Sequence, residues 1–469
     1  MDKADIPFLN AAELSRLIRD KEVSPVEATE AYLDRIDDVD FRFNAYLTVC
    51  RGDALQAARE AEKAIARGGY LGPMHGVPVA VKDQMWSKGV RSTGGSRILA
   101  DFVPEEDSTA VANLKRAGAV LLGKHNMTEF AITAFSHRFR IPHNPWNLDF
   151  SPGGSSSGSG AGTAAFLCAT SVGEDTGGSL RRPSAWSGLV GMKPGWGRVS
   201  RYGVMPGVWS MDTLGPISRG VEDAAITLAA IAGYDPKDPY TWNTPVPDYA
   251  AALDGRIGGM KVGVISEEVH SEVADPEVLD AVVAATKVLG GLGASVEEVS
   301  IPLARHMTDI SGLLIRVESA AYHHRSVRER LQDYGHDNQI GLLTGSIVPA
   351  QVYYKVQKLR TLLRDQILKA LEEYDVLALP TSARTAPRIQ ESDLVITDKA
   401  SAEQLPFMRT SAFNLASTPA VSVPCGFSTA GLPIGLQITG RPGAEETVLK
   451  VAHAYEQATP WHTMRPPHA

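Results

Sequence analysis

The chain has 469 residues, 43% of them apolar, enough for one large core or several ordinary ones. Its net charge of −8 argues against nucleic acid or an anionic membrane, and three scattered cysteines (Cys50, Cys168, Cys425) suit neither a disulfide framework nor a metal site. No apolar run approaches the roughly 20 residues of a membrane span, and the first residues lack an export signal, so a soluble cytoplasmic protein is expected.

Residues 10–70 predict three amphipathic helices, Ala11–Arg19, Pro25–Ile36 and Asp53–Arg67, with Ser24 as N-cap and Pro25 at the first helical position. They read as a layer over the core. From Leu71 the texture changes to short apolar runs between glycine turns. Val77–Val81 and Ala119–Leu122 predict strands, and Ser108–Arg116 between them predicts a helix with Gly118 just past its end. That order argues an α/β core with parallel crossovers. In the following Gly123–Phe130, the side chains of Lys124, His125 and Glu129 read as solvated. The basic clusters His137–Arg140 and Arg181-Arg182 read as surface or substrate contacts.

Residues 151–183 stand out. Ser151-Pro-Gly-Gly-Ser-Ser-Ser-Gly-Ser-Gly160 leads into the nearly uncharged run Ala161–Val172, then Asp175-Thr-Gly-Gly-Ser179. A flexible linker would have this composition, but it would not lead into a segment that demands burial. A dinucleotide loop needs a compact strand before it, where Pro152 sits, and no Gly-Lys-Ser/Thr follows for a Walker loop. Gly154–Gly158 satisfies G-x-S-x-G with Ser156 central, again without the strand that a nucleophile elbow requires.

Further on, Val221–Ile231 predicts a helix, 234–258 a surface connection, Lys261–Ile265 and Ser295–Val299 strands, and Asp275-Pro276 caps a helix reaching Leu289. Residues 303–374 read as mostly helical. Within them His323 and His324 are adjacent and face apart on a helix, poor geometry for a metal, so rim or solvent positions are expected. Asp375–Leu379, Ala420–Pro424 and Ile434–Thr439 predict closing strands, and Ala444–Gln457 a last helix.

Three strings together, Gly76-Val-Pro-Val-Ala-Val-Lys82-Asp83, Gly153-Gly-Ser-Ser-Ser-Gly158 and Asp175-Thr-Gly-Gly-Ser-Leu-Arg181, resemble the amidase signature family, with Ser155 and Ser179 at its spacing of 24 residues. Gly188–Pro194 and Asp212–Ser218 are similar to it as well. The resemblance runs over about 10–457, densest at 70–220. It implies one α/β domain over 1–469, with a central mixed, mostly parallel twisted sheet covered by helices on both faces. Its parts would be a helical layer (10–70), a catalytic core (71–232), a mostly helical substrate region (233–400) and closing strands with a helix (401–469).

The resemblance also implies a catalytic set. Ser179 is the nucleophile, Ser155 the bridging hydroxyl on a cis Gly154–Ser155 peptide, and Lys82 the base. Backbone N–H groups of Thr176, Gly177, Gly178 and Ser179 would form the oxyanion hole. Substrate contacts are expected from Met127, Ser156 and Arg182, with Phe130 and Trp209 tolerating a bulky group. Lysine is a base only when neutral, and burial at the end of an apolar strand favours that form. Asp83 would oppose it, but strand alternation sends Asp83 to the other face. No cofactor and no metal are implied. The expected partner is a small-molecule amide or carbamate, with esters open to the same machinery, and the chain is expected as a monomer or homodimer.

Two positions depart from the family pattern. Glu174 stands where a small hydroxyl residue is usual, and Arg182 where an aliphatic one is. Neither is expected to touch the three catalytic side chains, though Arg182 would favour a substrate bearing a carboxylate or carbonyl acceptor. The glutamine-hydrolysing component of the tRNA-dependent amidotransferase, its A subunit, is the alternative within the family. Such proteins hold glutamine with an arginine and an aspartate; here Ile340 or Gly341 and Phe407 occupy those places. Glu318–His324 and Arg328–Leu331 resemble stand-alone amidases instead. The sequence therefore favours a free-standing hydrolase, with the amidotransferase component next and a non-catalytic binding protein on the same fold last.

Overall fold

The chain's strands, in order, are β1 (Tyr46–Val49), β2 (Pro78–Lys82), β3 (Val120–His125), β4 (Thr170–Asp175), β5 (Val190–Lys193), β6 (Thr213–Ser218), β7 (Lys261–Ile265), β8 (Ser295–Val299), β9 (Val376–Pro380), β10 (Ala420–Phe427) and β11 (Pro433–Thr439). The structure is a computed structural model that describes residues 2–132, 135, 139–389 and 407–469. Among these, one sheet of 11 strands runs β1-β3-β2-β4-β6-β5-β10-β11-β9-β7-β8. Every residue of β2, β3, β4, β5, β6, β9 and β11 is buried, so helices and loops cover both faces there. The outermost strands, β1 and β8, carry most of the exposed and half-buried residues. The expected α/β fold with a mixed central sheet is the one observed.

Parallel pairing is confined to the two flanks, where β2 pairs with β3 and β4, and β7 with β8 and β9. The middle of the sheet is antiparallel, through β4–β6, β5–β6, β5–β10, β10–β11 and β9–β11. The expectation of a mostly parallel sheet is corrected to that extent. Crossover helices such as Thr109–Arg116 join parallel neighbours, whereas β10 and β11 turn back directly on one another.

The N-terminal helices form as their pattern demands. Ser24 and Glu27 complete a capping box, and Pro25 opens a helix that runs on to Phe43, where Asn44 ends it at φ 51°. Between the second and third of these helices lies β1, which the helical pattern concealed; four residues are too few to show a period. The apolar run after the serine loop divides into the helix Ser157–Ala164 and β4, with Phe166 turning at φ 59° between them. Of the 303–374 segment, Met307–Arg330, His336–Ser346 and Ala350–Glu373 are helical. No helix among the described residues is long and apolar enough to cross a membrane.

Several polar residues expected at the surface are interior. Lys124 and His125 belong to β3, and Glu129 is buried, accepting from Ser96 Oγ, the Gly335 N–H and Asn338 Nδ2. This ties the helical region to the core. His323 is also buried, within 3.0 Å of the Tyr334 hydroxyl, while His324 is exposed. His137 and Arg138 lie outside the described residues.

Candidate active site

The apolar strand β2 carries Lys82 at its end into the interior, with no solvent exposure. Beside it β4 runs parallel, with Val81 opposite Val172, so the last residues of both strands reach the same end of the sheet. The Lys82 Nζ donates to Ser155 Oγ at 2.7 Å and to Glu174 Oε2 at 2.9 Å. Alternation places Asp83 elsewhere. Its carboxylate accepts from Thr93 N–H and Oγ1 and lies 3.7 Å from Lys124 Nζ, as the sequence leads one to expect.

Ser155 follows a cis peptide bond at Gly154–Ser155. Its loop is fastened from both sides, the Ser155 carbonyl accepting from Thr128 N–H at 3.1 Å and the Gly154 carbonyl from Arg182 Nε at 3.0 Å. Beyond β4 the chain turns through Thr176–Ser179. Asp175 accepts from the N–H groups of Gly178 (2.7 Å) and Leu180 (3.1 Å), bending the turn around its carboxylate. Gly178 sits at φ 133°, and a Cβ there would collide with Thr410, whose hydroxyl donates to the Gly177 carbonyl at 2.5 Å. Exposure rises along the set, from 0% for Lys82 and 1% for Ser155 to 7% for Ser179. Ser179 is thus the hydroxyl nearest to solvent.

Electrostatics follow the burial. Desolvation pushes Lys82 below the ordinary lysine value, against the opposing pull of the Glu174 carboxylate. Asp175 feels burial in the opposite sense, but the Arg181 guanidinium outweighs it and holds this carboxyl well below the usual range. Arg181 is itself fully buried, donating also to Gln437 Oε1 at 2.6 Å, Asn414 Oδ1 at 2.6 Å and the Thr410 carbonyl at 2.7 Å. Asp212, just before β6, is raised well above its ordinary value by burial and by the nearby Glu174.

The other expected site residues fare unevenly. Met127 is buried, its carbonyl and Cγ beneath Gly95. Ser156 donates its hydroxyl to the Glu174 carbonyl, so it braces β4. Arg182 points back onto the Gly154 carbonyl and Met408 Sδ, which corrects the idea of a guanidinium free for substrate. The Gly178 N–H, expected in the oxyanion hole, is taken by Asp175; those of Gly177 and Ser179 have no acceptor among the described residues. Phe130 is core, packed on His323. Trp209 is half exposed and lines a cavity of about 290 Å³ with Tyr240, Arg201, Glu174 and Asp212.

The largest correction concerns Glu174. It was expected to miss the catalytic side chains, yet it meets Lys82 directly. The two strands end side by side, Val81 lying opposite Val172, and from the end of β4 the Glu174 carboxylate reaches the Lys82 ammonium nitrogen at the end of β2. The residues that hold the turn from afar (Thr410, Asn414, Gln437) carry no signal in the sequence, since each is an ordinary polar residue more than 200 positions away.

A family model described as Amidase matches residues 27–449. The chain belongs to the amidase signature family. It is similar to the A subunit of the glutamyl-tRNA(Gln) amidotransferase of Geobacter metallireducens, 42% identical over 97% of this chain and 98% of that one. To its counterpart in Moorella thermoacetica it is 43% identical, over 98% and 99% of the two chains. Among solved structures it resembles a bacterial aryl acylamidase of the family, at TM-score 0.88 and 28% identity over 97% of both chains.

Proposed function

We propose that this family member cleaves the C–N bond of an amide through an acyl-enzyme, with Ser179 as nucleophile, Ser155 as proton bridge and Lys82 as base. The observation that carries the reading is the 2.7 Å contact between Lys82 Nζ and Ser155 Oγ in a solvent-free interior. A serine hydroxyl is inert at neutral pH unless a base takes its proton. On attack, the Ser179 proton passes to Ser155 as the Ser155 proton passes to neutral Lys82. On collapse Ser155 gives a proton to the departing nitrogen as Lys82 returns one to Ser155, a net transfer of one proton, and water clears the acyl group by the same route. The N–H groups of Gly177 and Ser179 would receive the oxyanion, beside the start of the helix Arg181–Ser187.

For the substrate, the named relatives support glutamine, hydrolysed by this chain as the amidase component of an assembly with protein partners. Full-length identity above 40% weighs for that reading over the free-standing hydrolase favoured by the sequence alone. A specific observation supports the second reading. Phe407, where such amidotransferase components have an aspartate, packs its ring 3.6 Å from the Arg384 guanidinium, and at the arginine's place neither Ile340 nor Gly341 offers a guanidinium for a carboxylate. A free-standing amidase acting on aryl or small amides, carbamates or esters fits those two residues. Ammonia release from glutamine by the isolated chain, beside a panel of aliphatic, aryl, carbamate and amino-acid amides, separates the two. Glutamine turnover well above the panel supports the amidotransferase reading; turnover of the panel with glutamine left intact supports the other; and no release from any of them, with no adduct at Ser179, overturns both.

A further inference from the structure

The site holds one more ionisable group than its chemistry requires. Glu174 Oε2 is 2.9 Å from Lys82 Nζ, and both side chains are fully buried. Its other oxygen, Oε1, is 2.6 Å from Thr176 Oγ1, which in turn is 2.6 Å from Asp212 Oδ1. A threonine hydroxyl has a single hydrogen to donate. It cannot serve two carboxylates at once, so one of the two acids is protonated and donates to Thr176.

Lys82 Nζ lies against Glu174, whereas no cation among the described residues pairs with Asp212, so the geometry assigns this proton to Asp212. Burial and the neighbouring Glu174 disfavour its charged form, although N–H groups of Gly207 and Val208 also reach it. The chain of donors then has a direction. Asp212 donates to Thr176, Thr176 donates to Glu174 Oε1, and Lys82 donates to Glu174 Oε2. Glu174 is the acceptor at both ends and therefore a carboxylate, and Lys82 beside it is an ammonium. Of the other charged groups around Lys82, Asp175 on β4 is neutralised by Arg181, and Asp83, just after β2, faces Lys124 and Thr93. The cluster Lys82, Glu174, Asp212 is electrically neutral in this arrangement, which suits groups that are buried.

We propose that Glu174 is the counter-charge of the general base, holding Lys82 as an ammonium in the resting protein and raising the pH at which Ser155 and Ser179 become active. It is a positioning residue that acts through Lys82. The inference rests on the proposed hydrolytic reading of the site.

The test is the pH dependence of covalent labelling of Ser179 by a fluorophosphonate probe, which needs no knowledge of the substrate. An opposite charge in contact shifts a partner by about 1–3 units. In Glu174→Gln and Glu174→Ser the acidic limb of the labelling rate moves to lower pH by about that amount, whereas Glu174→Asp keeps it near the wild-type position. Asp212→Asn leaves the limb in place, because Asp212 is already neutral. An unmoved limb in both Glu174→Gln and Glu174→Ser overturns the proposal, and so does a limb that moves as far in Asp212→Asn. Should these variants fail to fold, NMR of isotopically labelled lysine in the wild-type protein decides: an ammonium at neutral pH supports the proposal, and a neutral amine overturns it. Failure of the hydrolytic reading looks different, as wild type would then show no adduct at Ser179.

Discussion

Asp175 and Arg181 form a fully buried ion pair, Nη2 to Oδ1 at 2.9 Å and Nε to Oδ2 at 3.0 Å. The same carboxylate receives two backbone N–H groups of the turn that carries Ser179. Arg181 reaches on to Thr410, Asn414 and Gln437, so this pair joins the nucleophile's turn to β11 and to the segment that precedes β10. A buried pair of this kind is costly to break from one side, because the remaining charge is left without water or partner.

Arg181→Met should therefore destabilise the fold by about 3–5 kcal/mol, read as a lowered midpoint of urea unfolding. The sign for pH follows from Asp175, whose folded value is depressed. Its contribution is present above the ordinary value of 3.8 and is lost as pH falls toward the folded value. The wild-type protein should lose stability on that acid side more steeply than Arg181→Met does.

Gly178→Ala should abolish activity. At φ 133° a side chain is strained by about 1–3 kcal/mol, and the added methyl meets the Thr410 hydroxyl that fixes the Gly177 carbonyl. The turn must then move, and Ser179 with it. A folded Gly178→Ala protein that reacts with a fluorophosphonate at the wild-type rate would show that the turn's shape does not matter.

How far the sequence revealed this site depends on how local each part is. The meeting of Lys82 with Ser155 was legible because each sits in a short local string, one an apolar strand after Gly76 and the other glycines and serines, in a recognisable order. The separation of Lys82 from Asp83 was legible too, since alternation in a strand needs no tertiary information. The meeting of Glu174 with Lys82 was not legible, because it depends on β4 lying beside β2 with both strands ending together. Arg182 misled for a related reason, as its partner, the Gly154 carbonyl, comes from a loop 28 residues earlier. In the fold, β1 was hidden by its length, and the antiparallel centre of the sheet arises from pairings such as β5 with β10, which no local pattern encodes.

Lys82→Ala should lower turnover by roughly 10²–10⁴-fold, the usual worth of a positioned general base. The wild-type rate should rise with pH as Lys82 loses its proton, with the midpoint below the 10.5 of a free lysine because the group is buried. In Lys82→Ala that limb should disappear. A variant with an unaltered pH profile would remove Lys82 as the base.

Ser179→Ala should abolish turnover while leaving the melting temperature close to that of wild type, since among the described residues its side chain makes no hydrogen bond. Ser155→Ala should lose nearly as much, because groups acting as one unit fail together. The combined Ser155→Ala/Lys82→Ala protein should be little worse than either alone, measured as kcat/KM on a substrate taken from the amide panel.

The most direct measurement is peptide mapping by mass spectrometry after fluorophosphonate treatment of folded wild type and folded Lys82→Ala. The adduct is expected on Ser179 in wild type, and its formation should be slowed by orders of magnitude without the lysine. An adduct on another residue, or one that forms on Ser179 equally fast in Lys82→Ala, would contradict the account.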